Sequence, residues 1–166
     1  MNIKLYPDKC LRRENKEVRA GEVEKLSRKL ISLMINNNGI GLAAPQAGIQ
    51  KKITVISPQA ADNLEHPLLL INPRIIEAEG DQQIEEACLS VCGITARVPR
   101  KDRIVVDTGI KEDRHRIEAG GLLSIVIQHE IDHLEGILFP DRVKNPKKMW
   151  KFFKARYNKW KNDGKS

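Results

Sequence analysis

The pentapeptide His129-Glu130-Ile131-Asp132-His133 constrains the fold more than any other stretch of the 166-residue chain. Its two histidines are four apart. A helix stacks such residues one above the other, so both imidazoles aim at a single point. Two imidazoles so placed clamp a divalent metal, and a Glu beside the first suits a general base toward an activated water. The residues upstream agree with a helix, because Leu122 to Gln128 contain neither Gly nor Pro. Three, four and seven positions before His129 stand Val126, Ile125 and Leu122, an aliphatic wall beside the two histidines. Gly120-Gly121 marks the expected start and Gly136 the expected end. The chain has only four His, two of them here, which argues against two core histidines falling at this spacing by accident.

Two ligands require a third. The extended metalloprotease pattern H-E-x-x-H-x-x-G-x-x-H is met at Gly136, but its last position holds Phe139, which cannot bind metal. A class that takes a Glu well downstream fails as well, since no Glu follows Glu135. The third ligand therefore comes from upstream, where Cys10, Cys88, Cys92, His66 and His115 have suitable chemistry.

Three motifs in order make the chain resemble the bacterial-type, metal-dependent peptide deformylases. Gly39-Ile40-Gly41-Leu42-Ala43-Ala44-Pro45-Gln46 matches that family's G-Φ-G-Φ-A-A-x-Q. Glu86-Ala87-Cys88-Leu89-Ser90 matches E-G-C-Φ-S, and the pentapeptide matches H-E-Φ-D-H. The resemblance covers nearly the whole chain and implies hydrolysis of the formyl group from N-terminal formylmethionine of new polypeptides, releasing formate. It also implies that Cys88, His129 and His133 bind the metal. Fe(II) is the implied ion. Thiolate and imidazole alone suit Zn(II) equally, and Zn, Ni or Co are expected alternatives in a purified sample. By the same resemblance Glu130 is the base, while the Gln46 amide and the Leu89 backbone N–H face the developing oxyanion. Ile40, Leu122, Ile125 and Val126 suit an unbranched methionine side chain, with Gly41, Glu86 and Ala87 at the edge where peptide binds. Ala87 departs from the family's Gly, and its methyl is expected to narrow the cleft or alter the backbone there. A Glu86–Arg100 ion pair and an orienting role for Asp132 are expected behind the metal.

Two rival readings are weighed beside this one. A zincin-like peptidase cutting internal peptide bonds is disfavoured by the missing downstream ligand. An inactive deformylase-like protein that only docks through a basic tail is disfavoured by the intact Gln46, Cys88 and Glu130.

Elsewhere the pattern is α+β: antiparallel sheets packed around a central HExxH helix, with an N-terminal helix and a C-terminal basic helix. Residues 1–144 are expected to form the catalytic domain and 145–166 a helix and tail. A helix is expected from Glu22 to about Asn36, stopped by Asn36-Asn37-Asn38-Gly39. Strands are expected at Lys51 to Ser57, at Leu68 to Glu79 with a bend at Asn72-Pro73, and at Ile94 to Arg100. Arg103 to Ile110 and His115 to Glu118 are expected to follow as a hairpin. Residues 8–21 read as loop with Cys10 an incidental thiol, Cys92 as a small inert apolar residue or else a second thiol able to oxidise onto Cys88, and His66 and His115 as surface. Asn145-Pro146 caps a last helix whose stripe is Met149, Phe153, Tyr157 and Trp160. From Asp141 to Ser166 ten Lys and Arg face two Asp, a balance of +8; the whole chain carries +7, so residues 1–140 carry −1. That helix is either a solvated face or an arm that docks on ribosomal RNA phosphates. No apolar run is long enough to span a membrane, no leader pattern is present, and three irregularly spaced Cys make no disulfide framework. The cytoplasm is the expected setting, with neither membrane nor DNA as partner.

Overall fold

The computed structural model describes residues 2–162, with side chains through residue 158. Among these residues four helices, α1 Val23–Asn36, α2 Gly121–Leu134, α3 Phe139–Arg142 and α4 Pro146–Asn162, accompany eight strands in three antiparallel sheets. One sheet is ordered β1 (Gly41–Ala43), β2 (Ile53–Ile56), β3 (Leu68–Ile71). The second is ordered β4 (Arg74–Glu79), β7 (Arg103–Ile110), β8 (Asp113–Gly120), and the third is the ribbon of β5 (Gln82–Cys88) and β6 (Val91–Arg100).

The α+β class and the element order follow the sequence pattern, and α2 lies at the centre: eleven of its fourteen residues are buried. A helix apolar on one side only would keep a wet face; α2 keeps almost none, because sheet and loop residues cover it all round. Its last turn ends in a Schellman motif. Ile137 N–H donates to Asp132 O at 2.8 Å and Gly136 N–H to His133 O at 3.2 Å, with Gly136 left-handed at φ 72°. The helix therefore stops as soon as it has presented both histidines. The end of α1 uses the same device, with Asn38 left-handed and Gly39 N–H bonded to Met34 O.

Pairing between strands is less local than the sequence pattern suggests. Ile94 to Arg100 and Arg103 to Ile110 are consecutive, yet β6 pairs with β5 and β7 pairs with β4 and β8. The stretch 8–21, expected as loop, contains short 3-10 turns at Lys9–Arg12 and Ala20–Glu22. It is tied down by buried Leu11, Asn15 and Val18, whose side chains fill gaps at the domain edge. Cys92 is exposed and donates its S–H to Leu89 O at 3.1 Å.

The basic helix α4 is seated rather than free. Asn145 Oδ1 accepts from Lys148 N–H at 3.1 Å, as expected of an N-cap. Phe153 is 2% exposed and joins a cluster with Leu11, Val91, Val98, Leu138 and Phe139; Met149, Trp150 and Tyr157 pack at its edge. The side chain of Trp160, the last member of the expected stripe, lies outside the described residues. Removing the Phe153 ring should therefore leave a cavity under the helix. Phe153→Ala is expected to lower stability by about 3–5 kcal/mol in chemical denaturation. A loss under about 1 kcal/mol would mean that α4 is not anchored on this core.

Candidate metal centre

Two periodicities bring the site together. On β5, Glu86 and Cys88 are two apart and share a face of the strand. On α2, His129 and His133 are four apart and share a face of the helix. The strand face meets the helix face, so one ligand atom from each of Cys88, His129 and His133 lies within 4.8 Å of the other two. Cys88 Sγ is 3.3 Å from His133 Nε2. Of the upstream candidates only Cys88 joins the cluster. Cys10 is buried away from it, its S–H donating to Pro45 O, and burial together with Asp8 pushes its thiol up to about 11. His66 and His115 are exposed.

The donor set fits a divalent cation. Ser90 N–H points at Cys88 Sγ from 3.4 Å and the Gln46 amide from 3.6 Å, so the sulfur is held in place beside the two imidazoles. His129 is pulled two ways. Burial would lower its pKa, but the Cys88 sulfur and the Glu86 carboxylate hold it well above the ordinary value. The field that draws a proton to His129 would draw a divalent cation in its place. His133 is driven the other way, by burial and then by the positive charge of His129, Arg100 and Arg12, and is held neutral as a ligand must be.

Behind the ligands stands a buried ion network. Glu86 Oε2 meets His129 Nδ1 at 2.8 Å, turning Nε2 toward the cluster. Arg100 clasps Glu86 with Nε at 2.6 Å and Nη2 at 3.0 Å, and reaches Asp132 Oδ2 with Nη1 at 2.6 Å. The expected Glu86–Arg100 pair forms, and Asp132 contacts Arg100 from the other side. The Glu86 carboxylate is consumed by these partners, so only the backbone at this position is left for a bound peptide. Despite the cost of burial, His129 and Arg100 keep its pKa below the ordinary range.

Glu130 lies beside the ligands, 3% exposed, with Oε2 lacking any hydrogen-bond partner among the described residues. Burial, reinforced by the Glu86 charge, pushes its pKa up to about 7. Gly41 explains how it fits. A Cβ there would stand 2.6 Å from Glu130 Oε1, so that glycine makes room for the carboxylate. Gln46 is fixed at both ends. Its Oε1 accepts from Ala43 N–H at 2.8 Å, and its Nε2 donates to Ser90 Oγ at 3.2 Å and points at Cys88 Sγ from 3.6 Å, which holds the amide nitrogen at the cleft beside the sulfur. The sequence carried Ala43 and Ser90 inside its motifs, but nothing in it marked them as the residues that orient Gln46.

The cleft in front is lined by Ile40, Gly41, Ala87, Leu89, Leu122, Ile125 and Val126. Ile125 and Val126 form the deep wall; Leu122, 42% exposed, and Ile40, 38% exposed, sit at the mouth. Ala87 has an exposed methyl and no positive φ, so its backbone is ordinary strand and the substitution for Gly brings no strain. Phe139, which occupies the last position of the extended metalloprotease pattern, is buried and stacks on the His129 ring at 6.3 Å.

Known proteins share this arrangement of elements. A family profile described as polypeptide deformylase matches residues 1–149. The peptide deformylase of Thermodesulfovibrio yellowstonii is 43% identical over 148 residues, covering 86% of this chain and 88% of that protein. The crystal structure of a peptide deformylase from Legionella pneumophila superposes with a TM-score of 0.86 at 29% identity, over 99% of this chain and 98% of that one. That of the Thermus thermophilus peptide deformylase gives 0.83 at 34% identity, over 94% and 92%. With its profile, its relatives and its three ordered motifs in agreement, this chain belongs to the peptide deformylase family.

Proposed function

We propose that one divalent metal ion, held by Cys88, His129 and His133, carries this chain's chemistry. That chemistry is the family's: hydrolytic removal of the formyl group from the N-terminus of newly made polypeptides. The observation that carries the metal assignment is the meeting of one sulfur and two imidazoles beside a buried carboxylate with a partnerless oxygen. Sulfur and imidazole suit iron(II) and zinc alike. The resemblance to iron-dependent deformylases favours Fe(II), with zinc, nickel or cobalt able to occupy the same ligands.

When bound, the ion supplies Lewis acidity toward water and toward the formyl oxygen. Glu130 Oε2 then takes the proton of the attacking water and returns it to the leaving amine. A group held near neutrality can do both. The formyl oxygen gains negative charge during attack, and the Gln46 amide and the Leu89 N–H donate to it. Glu86 orients His129 and has no direct part in the bond changes. Ile125 and Val126, with Leu122 and Ile40 at the mouth, receive the unbranched side chain of formylmethionine. Among the described residues β5 pairs with β6 alone. Its other edge, at Glu86 and Ala87 and facing Gly41, can take an extended peptide by main-chain hydrogen bonds.

Formate release from a formyl-Met tripeptide tests these roles in protein loaded anaerobically with Fe(II). Glu130→Ala is expected to lose about 10²–10⁴-fold in kcat while keeping its metal, and an unformylated peptide should remain uncut. A Glu130→Ala protein within about tenfold of the parent, with metal bound, would remove Glu130 from the mechanism.

The basic tail supports a second partner. Lys147, Lys151 and Lys154 border a groove with Tyr6 and Trp150, and the Arg12 guanidinium lies 5.2 Å from the Trp150 ring centre. Cations interleaved with aromatics suit ribosomal RNA phosphates, where new chains emerge. Among the described residues no helix is long and apolar enough to cross a membrane. A thiolate ligand needs a reducing setting, and we place the reaction in the cytoplasm. Ribosome binding measured by sedimentation should fall steeply between about 50 and 200 mM salt, and should vanish in Lys147→Glu/Lys151→Glu/Lys154→Glu. Binding indifferent to both salt and substitution would exclude this docking surface.

A further inference from the structure

The buried network behind His129 has an outer end that the chemistry above does not use. Arg142, the last residue of α3, places Nη2 at 2.6 Å from Asp132 Oδ1 and Nε at 3.1 Å from Asp132 Oδ2. We propose that Arg142 is a positioning residue for the metal centre, acting through Asp132, Arg100 and Glu86 on the orientation of His129. The inference rests on the reading that Cys88, His129 and His133 hold the metal.

The contacts form an unbroken line. Arg142 meets Asp132, Asp132 meets Arg100, Arg100 meets Glu86, and Glu86 meets His129 Nδ1. The side chains of Glu86, Arg100 and Asp132 are only 4–6% exposed, whereas that of Arg142 is 43% exposed. Two carboxylates stand against two guanidiniums only when Arg142 is counted. Without it Asp132 keeps a single guanidinium contact, from Arg100, in a low-dielectric site where an under-paired carboxylate is costly.

The geometry says where Asp132 would find a replacement contact. Arg100 spends Nε and Nη2 on Glu86 and only Nη1 on Asp132. Arg142 occupies Asp132 Oδ1, so Asp132 asks Arg100 for a single contact. With Arg142 gone, Asp132 competes with Glu86 for the Arg100 fork, and the Glu86 carboxylate that aims His129 loses part of its hold. Arginine suits the task because its planar fork meets the two oxygens of one carboxylate through two separate nitrogens, whereas an ammonium offers one.

The α3 turn is built to deliver that fork. The neighbouring Asp141 accepts from Leu138 N–H at 2.8 Å and from Trp150 Nε1 at 2.7 Å, and it pairs with Arg12. These three contacts fix the turn on the domain beside Asp132.

Cobalt(II) is the probe, because its visible absorption reports ligand geometry and its release to a chelator reports retention. Arg142→Ala is expected to shift the Co(II) spectrum and to speed metal release by about 3–10-fold, less than the 10–100-fold typical of groups that touch a ligand directly. Its kcat for deformylation should fall with KM nearly unchanged. Arg142→Lys should recover part of each effect, since it restores the charge but only one contact. A purely stapling role would lower the melting temperature and leave spectrum and release rate as in the parent, and that result overturns the proposal. If the alanine variant does not fold, Arg142→Gln is judged by the same spectrum and release rate. A parent protein that takes up no cobalt overturns the metal reading and this inference together. A parent that binds cobalt beside an indistinguishable Arg142 variant overturns this inference alone.

Discussion

The Arg100 guanidinium is the contact on which the site depends. It is a permanent cation in the domain interior, where an unpaired charge is costly to hold. It is tolerated because Glu86 and Asp132 surround it with three short contacts. The same arrangement makes the network brittle: deleting one member of a buried ion set typically costs about 3–5 kcal/mol, since it strands the others. Such a set adds little to net stability compared with an apolar core. Its value lies in direction. It leaves the Glu86 carboxylate one orientation, and through Glu86 it leaves the His129 ring one orientation.

Everything around the network serves to bring a strand face and a helix face together. Strand periodicity aligns Glu86 with Cys88, helix periodicity aligns His129 with His133, and the Schellman turn at Gly136 ends α2 before it can run past the site. Gly41 leaves the volume that Glu130 fills. Burial raises the Glu130 pKa, and the cleft beside it is walled by Ile125 and Val126. The helix α4, pinned by Phe153, is continuous with this frame through the turn that carries Asp141 and Arg142.

Much of this was legible in the chain because the informative spacings are local. The i,i+4 histidines, the apolar wall before them, the Asn-Gly stop of α1 and the Asn145 cap each depend on a few neighbouring residues, and each formed where expected. Alternation along Ile94, Ala96 and Val98 even put Arg100 in phase with the core, and Arg100 is buried. What was hidden depends on pairing between distant segments. No local pattern says that β7 leaves β6 to join β4, or that Arg142 would meet Asp132. Gly41 was readable as a residue lending a backbone edge, but its close approach to Glu130 needed the packed helix. The exposure of Cys92 was hidden for a similar reason, since it goes with the irregular pairing of β5 and β6 beyond Cys88–Val91.

The central claim is that one sulfur and two imidazoles, from Cys88, His129 and His133, converge on a single ion. X-ray absorption at the zinc edge of protein loaded with one equivalent of Zn(II) tests it most directly. The account predicts one sulfur scatterer at about 2.3 Å with two imidazole nitrogens at about 2.0–2.1 Å, and loss of the sulfur in Cys88→Ser. A spectrum of oxygen and nitrogen alone in the parent protein, or a sulfur that persists without Cys88, would contradict it.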